Sequence, residues 1–153
     1  MKKSLEEYPS AHMLGFLFSQ NVDYLMSIMS VYLELFDGDA TTMLIFFTMA
    51  RTSVDHLNRQ NVPRAEAADG VFPDTLRRPV AALSIANYLG LPYETTRRHV
   101  MKLVAKGYCH RQGSREFLIS SETLSRPEFA DLAKQSFALT KTYLETIRPY
   151  VAT

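Results

Sequence analysis

Cationic side chains are concentrated in one part of the chain, residues 77–115. This stretch contains eight lysines and arginines but only one acid, Glu94, so its formal net charge is +7 in a chain whose total is +1. A local block of positive charge is typical of a surface that contacts a polyanion such as nucleic acid. A solvated surface with counterions explains the same charges, so charge alone leaves both interpretations open. The eight cations are Arg77, Arg78, Arg97, Arg98, Lys102, Lys106, Arg111 and Arg115.

Residue types that carry out catalytic or metal chemistry occur without the spacing that this chemistry needs. Among the four histidines, no two lie one helical turn apart, as a zinc site on a helix would require. The single cysteine, Cys109, excludes an internal disulfide, and we interpret it as a small half-buried apolar residue. The sequence also has no glycine-rich phosphate loop and no nucleophile elbow. We therefore predict that the protein is not an enzyme and that it has no metal or other cofactor.

The composition is that of an ordinary globular protein. The chain has 153 residues, of which 46% are hydrophobic and 22% charged, enough for one compact domain or a small domain with a helical extension. The first residues, "MKKSLEEYPS", lack the apolar run of a signal peptide. The longest apolar stretch, "MLIFF" at 43–47, is far below the ~20 residues that span a bilayer. We expect a cytoplasmic protein that does not interact with membranes.

The first third of the chain predicts two helices. From Ala11 to Phe36, apolar residues recur at three- and four-residue steps, which predicts a long helix buried over much of its circumference. Gly38 suits the left-handed position after that helix, and Asp39 can cap the next one. We expect the second helix to continue to about Asn61. Its predicted inward residues are Met43, Phe46, Phe47, Ala50, Val54 and Leu57.

The remainder of the chain predicts a linker, short helices, a hairpin and a long final helix. Two prolines and a glycine indicate a loop or linker at residues 61–74, which we expect a short helix to follow. In residues 107–120, "GYCHRQGSREFLIS", two β-prone runs surround Gln112-Gly113-Ser114, which indicates a hairpin. The final helix is expected to begin near Ser125, with Pro127 in its first turn, and to continue to about Pro149.

Two short helices flank a tight turn within residues 84–108, "SIANYLGLPYETTRRHVMKLVAKGY". The first helix, which begins just before this stretch, is expected to point Leu83, Ala86 and Leu89 inward. Gly90 then turns the chain, and Pro92 has the backbone angle that a helix start needs. The second helix is expected to bury Thr96, Val100, Leu103 and Val104, with the Thr96 hydroxyl donating to a carbonyl one turn earlier.

These residues resemble the winged helix-turn-helix of transcription regulators. Ala86, Gly90 and Thr96 occupy its small, turn and core positions, and residues 107–119 are similar to its two-stranded wing. Long helices on both sides are similar in layout to dimeric MarR-like regulators. The resemblance implies a mainly α fold with a small β-wing, in which the winged helix-turn-helix is flanked by long dimerisation helices. It also implies a sequence-specific, dimeric DNA-binding regulator.

In such a regulator, residues 93–106 would form the recognition helix in the major groove, where arginine can bond bidentately to guanine or clamp a phosphate. His99 would be a further phosphate contact. The wing would meet the backbone or the minor groove. The DNA-binding residues that the resemblance implies are Tyr93, Glu94, Thr95, Arg97, Arg98 and Lys102 of the helix, and Arg111 and Arg115 of the wing.

The predicted organisation has three parts. Residues 1–73 form a helical dimerisation region, 74–124 the winged helix-turn-helix, and 125–153 a C-terminal dimerisation helix. Five methionines between Met13 and Met49 mix with phenylalanines, which indicates core or dimer interface, or alternatively a pocket for an apolar small-molecule effector. We expect double-stranded DNA and a second copy of the chain as partners. The alternative is a winged-helix protein–protein interaction module without specific DNA binding.

Overall fold

The computed structural model describes residues 9–60 and 70–151, and these residues are mainly helical with one small antiparallel sheet. This confirms the predicted fold class at the level of mainly α with a small β-element. The helices are α1 (Ala11–Leu35), α2 (Ala40–Thr52), α3 (Asp55–Arg59), α4 (Ala82–Leu89), α5 (Tyr93–Ala105), α6 (Ser121–Leu124) and α7 (Pro127–Val151); the strands are β1 (Val80–Ala81), β2 (His110–Gln112) and β3 (Glu116–Leu118). The predicted linker at 61–74 lies mostly outside the described residues.

The chain divides into two compact units. Among the described residues, one unit contains residues 9–32 and 132–151, and the other contains residues 33–60 and 70–131. This division differs from the predicted one, in which residues 1–73 formed a separate region. Because Ile45, Phe46 and Met49 of α2 are fully buried and α2 packs on α5, α2 belongs to the unit that contains α5.

In the first unit, α1 and α7 pack against each other through aromatic and hydroxyl side chains. The rings of Tyr24 and Tyr143 are stacked with centroids 4.4 Å apart, and the rings of Phe16 and Tyr150 lie 4.7 Å apart. The Tyr24 hydroxyl lies 2.8 Å from the Thr140 hydroxyl. Positions that are later in α1 therefore meet positions that are earlier in α7, so the two helices are antiparallel.

The prediction that α1 is buried over much of its circumference is wrong for the single chain. None of its residues is buried, and Phe18 is 70% exposed. One helical partner can cover only one side of an apolar helix, so the remaining apolar residues face solvent. The exposed large apolar residues of this unit are Leu14, Phe18, Val22, Leu25, Met26, Phe137, Leu144, Tyr150 and Val151.

The core of the second unit centres on aromatic rings. Phe46 contacts Phe36 and Phe129, in each case with ring centroids 5.2 Å apart, and Tyr108 lies 5.3 Å from Phe129. Met43 and Met49 are almost completely buried here. The sequence predicted that the methionine- and phenylalanine-rich region forms core or dimer interface, or alternatively an effector pocket. These two methionines and the phenylalanines around them are part of the core.

The helix predicted from Asp39 to Asn61 is interrupted. Asp39 caps α2 as expected, because its carboxylate accepts from the Thr42 N–H at 3.0 Å. The helix nevertheless ends at Thr52, and a turn at Ser53 and Val54 separates it from α3. Ser53 is buried, and its carbonyl accepts from the Arg78 N–H at 2.9 Å. The helix is therefore interrupted at the point where it contacts the distant segment around Arg78. The periodicity of apolar residues in α2 gives no information about such a contact.

The short helix predicted after the linker is wrong, and a strand occupies part of its place. Val80 pairs with Phe117 and Ala81 with Glu116, so β1 forms one edge of the sheet and β3 its centre. Helix α4 then begins at Ala82; it buries Ala86, as predicted, and it also buries Ile85. Leu83 is 55% exposed, which corrects its predicted inward position.

Near the C-terminus, the structure adds a helix that the pattern did not indicate. The Ser120 hydroxyl accepts from the Thr123 N–H at 3.1 Å and caps α6. Ser125, the predicted start of the final helix, ends α6 instead. Pro127 then begins α7, the position at which proline loses no helical hydrogen bond.

Candidate functional site

The turn between α4 and α5 sets the position of α5. Gly90 ends α4 in the left-handed conformation, with φ of 67°, as the sequence predicted. The Leu91 N–H donates to the Ala86 carbonyl at 3.0 Å, and the Thr96 hydroxyl donates to the Pro92 carbonyl at 3.2 Å. The predicted hydroxyl bond is therefore confirmed. These bonds are local, so the short turn and the start of α5 are specified by neighbouring residues.

Helix α5 is buried along one side and exposed along the other. Thr96, Val100 and Leu103 have essentially no solvent exposure, and the helix packs on α2 and α4. Val104, also predicted to be inward, is half-buried. The side chains of Tyr93, Glu94, Arg97, Arg98 and Lys102 are exposed, and Thr95 is half-buried.

Five side chains of α5 border one solvent-open hollow of about 420 Å³. They are Glu94, Thr95, Arg97, Arg98 and Met101. The structure thus brings together four of the predicted site residues, and it adds Met101, which sequence reasoning missed. Its place follows from helix geometry, since Met101 lies one turn after Arg97 and Arg98.

The cations near this surface differ in their partners. Arg97 Nε lies 3.3 Å from Glu94 Oε2, and since the two side chains are largely exposed this pair contributes little, about 0–1 kcal/mol. Lys102 Nζ lies 3.1 Å from Asp39 Oδ2. Arg98 is exposed and makes no ion pair with any residue in 9–60 or 70–151.

Asp39 connects the start of α2 to α5. Burial raises the pKa of its carboxyl, but hydrogen bonds from the Thr42 N–H, the Thr42 hydroxyl and Lys102 outweigh burial and hold the pKa well below its ordinary value. The carboxylate therefore remains charged at neutral pH. Its charge offsets that of Lys102, which the sequence alone presented as an unpaired cation.

His99 is not exposed, which corrects its predicted role as a phosphate contact. The residue is 8% exposed, and its Nδ1 lies 2.7 Å from the Thr42 hydroxyl. Burial lowers the pKa of His99; the Asp39 carboxylate opposes this shift, and the charges of Lys102 and Arg98 add to it. The His99 imidazole therefore connects α5 to α2, and little of it is accessible to an external ligand.

The hairpin carries the two remaining predicted site residues. Strands β2 and β3 pair as predicted, with Arg111 opposite Phe117, and Gly113 adopts φ of 81° in the connecting turn. The Arg111 guanidinium lies over the Phe117 ring, 5.6 Å from its centroid. Arg111 and Arg115 are exposed and have no ion pair within the described part of the chain.

Arg77 is the one member of the cationic block that the structure buries. It is 8% exposed; its Nε donates to the Ile119 carbonyl at 3.0 Å, and its Nη2 donates to the Ser53 hydroxyl at 2.8 Å. The positive surface is therefore smaller than the block of eight suggests. No feature of the sequence distinguishes Arg77 from the exposed Arg78 beside it, because the difference arises from packing.

Cys109 is buried, and its thiol is not activated. Burial raises its pKa to about 12, and its Sγ lies 3.9 Å from the Val100 carbonyl. This confirms the interpretation of Cys109 as a small apolar packing residue, although it is buried and not half-buried as predicted. Within residues 9–60 and 70–151, no cluster of three or more potential ligands could hold a metal ion, and no helix has the length and apolarity to cross a membrane.

Comparison of the chain with protein-family models, with curated proteins and with solved structures finds no match.

Proposed function

We propose that this protein is a sequence-specific, DNA-binding transcription regulator that acts as a homodimer. In this proposal, residues 80–119 form a winged helix-turn-helix, with α5 as the recognition helix and the β2–β3 hairpin as the wing. The observation that carries the proposal is the two-sided character of α5. One side is sealed by Thr96, Val100 and Leu103, and the opposite side presents Arg97 and Arg98 to solvent.

An exposed helix with adjacent arginines fits the major groove of DNA. The groove is about 12 Å wide and admits one α-helix, and arginine is the side chain that most often reads guanine there. Consecutive positions on a helix differ in direction by about 100°. Arg97 and Arg98 can therefore engage different parts of a duplex, one a base and the other a phosphate.

The hairpin supplies a second cationic contact in the proposal. Arg111 and Arg115 are exposed, and the Arg111 guanidinium lies over the Phe117 ring. Exposed guanidinium groups beside a tight turn suit the backbone or the minor groove next to the major-groove site.

The exposed apolar residues of α1 and α7 support the homodimer. Phe18 and Phe137 are 70% and 69% exposed, and Leu25, Met26, Leu144 and Val151 are each more than half exposed. A second copy of the same helices supplies matching apolar surface, as in a symmetric interface. A dimer would place two recognition helices on successive half-sites, about 34–36 Å apart.

The test of DNA binding is selection from a random pool of duplexes, followed by titration of the enriched duplex with single variants. We expect an enriched sequence with two-fold symmetry. Arg97→Ala or Arg98→Ala should weaken a base contact by about 1–3 kcal/mol, or reduce the salt slope by about 1 if the arginine contacts phosphate. Arg59→Ala, which removes an exposed arginine of α3, is the matched control and should leave both quantities unchanged.

The same titrations distinguish DNA binding from the alternative, a winged-helix module that binds a protein partner. Neutralisation of phosphates makes DNA affinity fall steeply with salt. Selection that enriches no sequence, together with equal duplex affinity for the wild type and the Arg97 and Arg98 variants, would contradict DNA binding.

A further inference from the structure

A second cationic feature lies in the unit of residues 33–131, on a surface that the proposed DNA contacts do not use. A solvent-open pocket of about 240 Å³ lies between the end of α2, α3, the segment at 70–72 and Arg77. Its size is below the ~300–1,000 Å³ of pockets for drug-sized ligands, so its occupant must be small.

Among the described residues that line this pocket, all the charged side chains are cationic. Arg51 and Arg77 border it, and no aspartate or glutamate does so among the described residues. Arg77 is more than nine-tenths buried and has only neutral hydrogen-bond partners, the Ile119 and Ala50 carbonyls and the Ser53 hydroxyl. A buried cation without a carboxylate partner is costly, and an anion beside it would offset that cost.

Part of the Arg77 guanidinium remains available. Its three hydrogen bonds use Nε and Nη2, and its Nη1 donates to no residue in the described part of the chain. Burial lowers the pKa of Arg77, and the charge of Asp74 acts in the opposite direction. Asp74 makes no ion pair with Arg77 and instead accepts from the Ser121 N–H at 2.6 Å.

Arg51 and Asn58 add polar groups at the same pocket. Arg51 uses Nη1 to donate to the Tyr88 hydroxyl at 2.7 Å, and no hydrogen bond from its Nη2 to a described residue is present. Val54 and Phe72, both buried, also line the pocket and give it an apolar surface. The pocket therefore combines guanidinium donors, an amide and a hydrocarbon surface within a small volume.

We infer that this pocket binds a small organic anion, a carboxylate with a short hydrocarbon chain. The carboxylate accepts hydrogen bonds from Arg77 Nη1 and Arg51, because a guanidinium matches the two oxygens of a carboxylate. The hydrocarbon chain contacts Val54 and Phe72. This site is independent of the proposed DNA contacts on α5 and the hairpin, so either assignment can fail without the other.

The test is a titration of the ¹⁵N-labelled protein with sodium butyrate, followed by chemical shifts of backbone and arginine side-chain N–H groups. Butyramide serves as the neutral analogue of the same shape, and inorganic phosphate as an anion without hydrocarbon. We expect butyrate to shift the signals of Arg51, Gly70, Val71 and the Arg77 Nε–H, and to bind at least about tenfold more tightly than butyramide, since hydrogen bonds to charged groups are among the stronger ones.

Variants then locate the site. Arg51→Gln alters an exposed residue and should weaken butyrate binding about tenfold, the effect of losing one charged hydrogen bond. Arg78→Gln removes the exposed arginine next to Arg77 that does not line the pocket, and it should have no effect. Tyr88→Phe releases Arg51 Nη1 and should leave binding equal or tighter.

Several outcomes would overturn the inference. Equal affinity for butyrate and butyramide would contradict recognition of the negative charge. Tighter binding of phosphate than of butyrate would contradict the contact with the hydrocarbon chain. Unchanged butyrate affinity in Arg51→Gln would place the ligand elsewhere. Arg77→Lys keeps the charge but loses the two-pronged guanidinium group. If circular dichroism shows that this variant folds, it should also bind butyrate more weakly than the wild type. If it does not fold, the result for Arg51→Gln is the one that tests the inference.

Discussion

Lys102 Nζ lies 3.1 Å from Oδ2 of Asp39, so a cation on the exposed side of α5 is tied to the residue that caps α2. The same carboxylate accepts from the Thr42 hydroxyl at 2.8 Å, and that hydroxyl also contacts His99. One aspartate therefore influences the start of α2, the ring that anchors α5 and the net charge of the α5 surface.

The first prediction concerns this aspartate and salt. Asparagine can still cap α2 but carries no charge, so Asp39→Asn frees Lys102 to contact phosphate. Under the proposed function, the slope of log affinity against log salt should steepen by about 0.9, the value for one additional phosphate contact. The measurement is fluorescence anisotropy of a labelled duplex over a series of salt concentrations.

Asp55→Asn is the control for this prediction. Asp55 pairs with Arg59 within α3 and not with a residue of α5, so the salt slope should remain that of the wild type. An unchanged slope in Asp39→Asn would mean that Lys102 does not reach the duplex.

The second prediction is a loss of stability in mild acid through His99. Because burial lowers the pKa of His99, the folded state binds the proton less readily than the unfolded chain, whose histidines titrate near ~6.5. Stability is therefore fully present above that value and decreases as the pH falls below it. Asp39 stays ionised in this range and adds no slope.

Urea unfolding between neutral pH and mild acid tests this prediction. The free energy of unfolding should depend less on pH in His99→Gln than in the wild type. His110→Gln removes an exposed histidine and should retain the wild-type dependence. Identical pH dependence in His99→Gln and the wild type would show that another group is responsible.

The third prediction uses two glycines with opposite backbone requirements. A Cβ at Gly90 would meet no atom within 4 Å, but φ is 67°, so Gly90→Ala should lower the free energy of unfolding by about 1–2 kcal/mol through backbone strain alone. Gly15 lies within α1, also without nearby atoms, so Gly15→Ala should raise it by about 0.5–1 kcal/mol. Denaturant unfolding followed by circular dichroism measures both changes. If the two substitutions changed the free energy of unfolding in the same direction, the backbone conformations assigned to Gly90 and Gly15 would be contradicted.

The fourth prediction concerns self-association through the apolar surface of α1 and α7. Phe18→Ser and Phe137→Ser alter side chains that are 70% and 69% exposed in the single chain, so each should change monomer stability by only about 0.5 kcal/mol. If these residues contact a second copy, each should weaken the dimer at least about tenfold, since aromatic interface residues often cost more than 1 kcal/mol on truncation.

Sedimentation velocity over a range of concentrations measures the dimer. Leu83→Ser, which alters an exposed apolar residue on α4, is the matched control and should not change the sedimentation profile. A wild-type protein that sediments only as a monomer at micromolar concentration would contradict the homodimer.

The elements that surround the proposed DNA surface were predictable because their signals are local. Asp39 and Thr42 are three residues apart, the Gly90 turn closes on Ala86, and Gly113 lies within its own hairpin. Capping, left-handed glycine and hairpin turns act over a few residues, so their sequence signatures are sufficient. Solvent exposure of Arg97 and Arg98 also followed from helical periodicity, because buried positions define the opposite side.

The sequence by itself determined the mainly helical class, the two helices around Gly90, the hairpin and the cationic side of α5. Only the tertiary structure decided that Arg77 is buried while Arg78 is exposed, that His99 contacts Thr42, and that Asp39 pairs with Lys102. It also decided that Ile85, not Leu83, faces the core. The physical reason is that these outcomes depend on which distant element packs against each residue, and neither periodicity nor local hydrogen bonding carries that information.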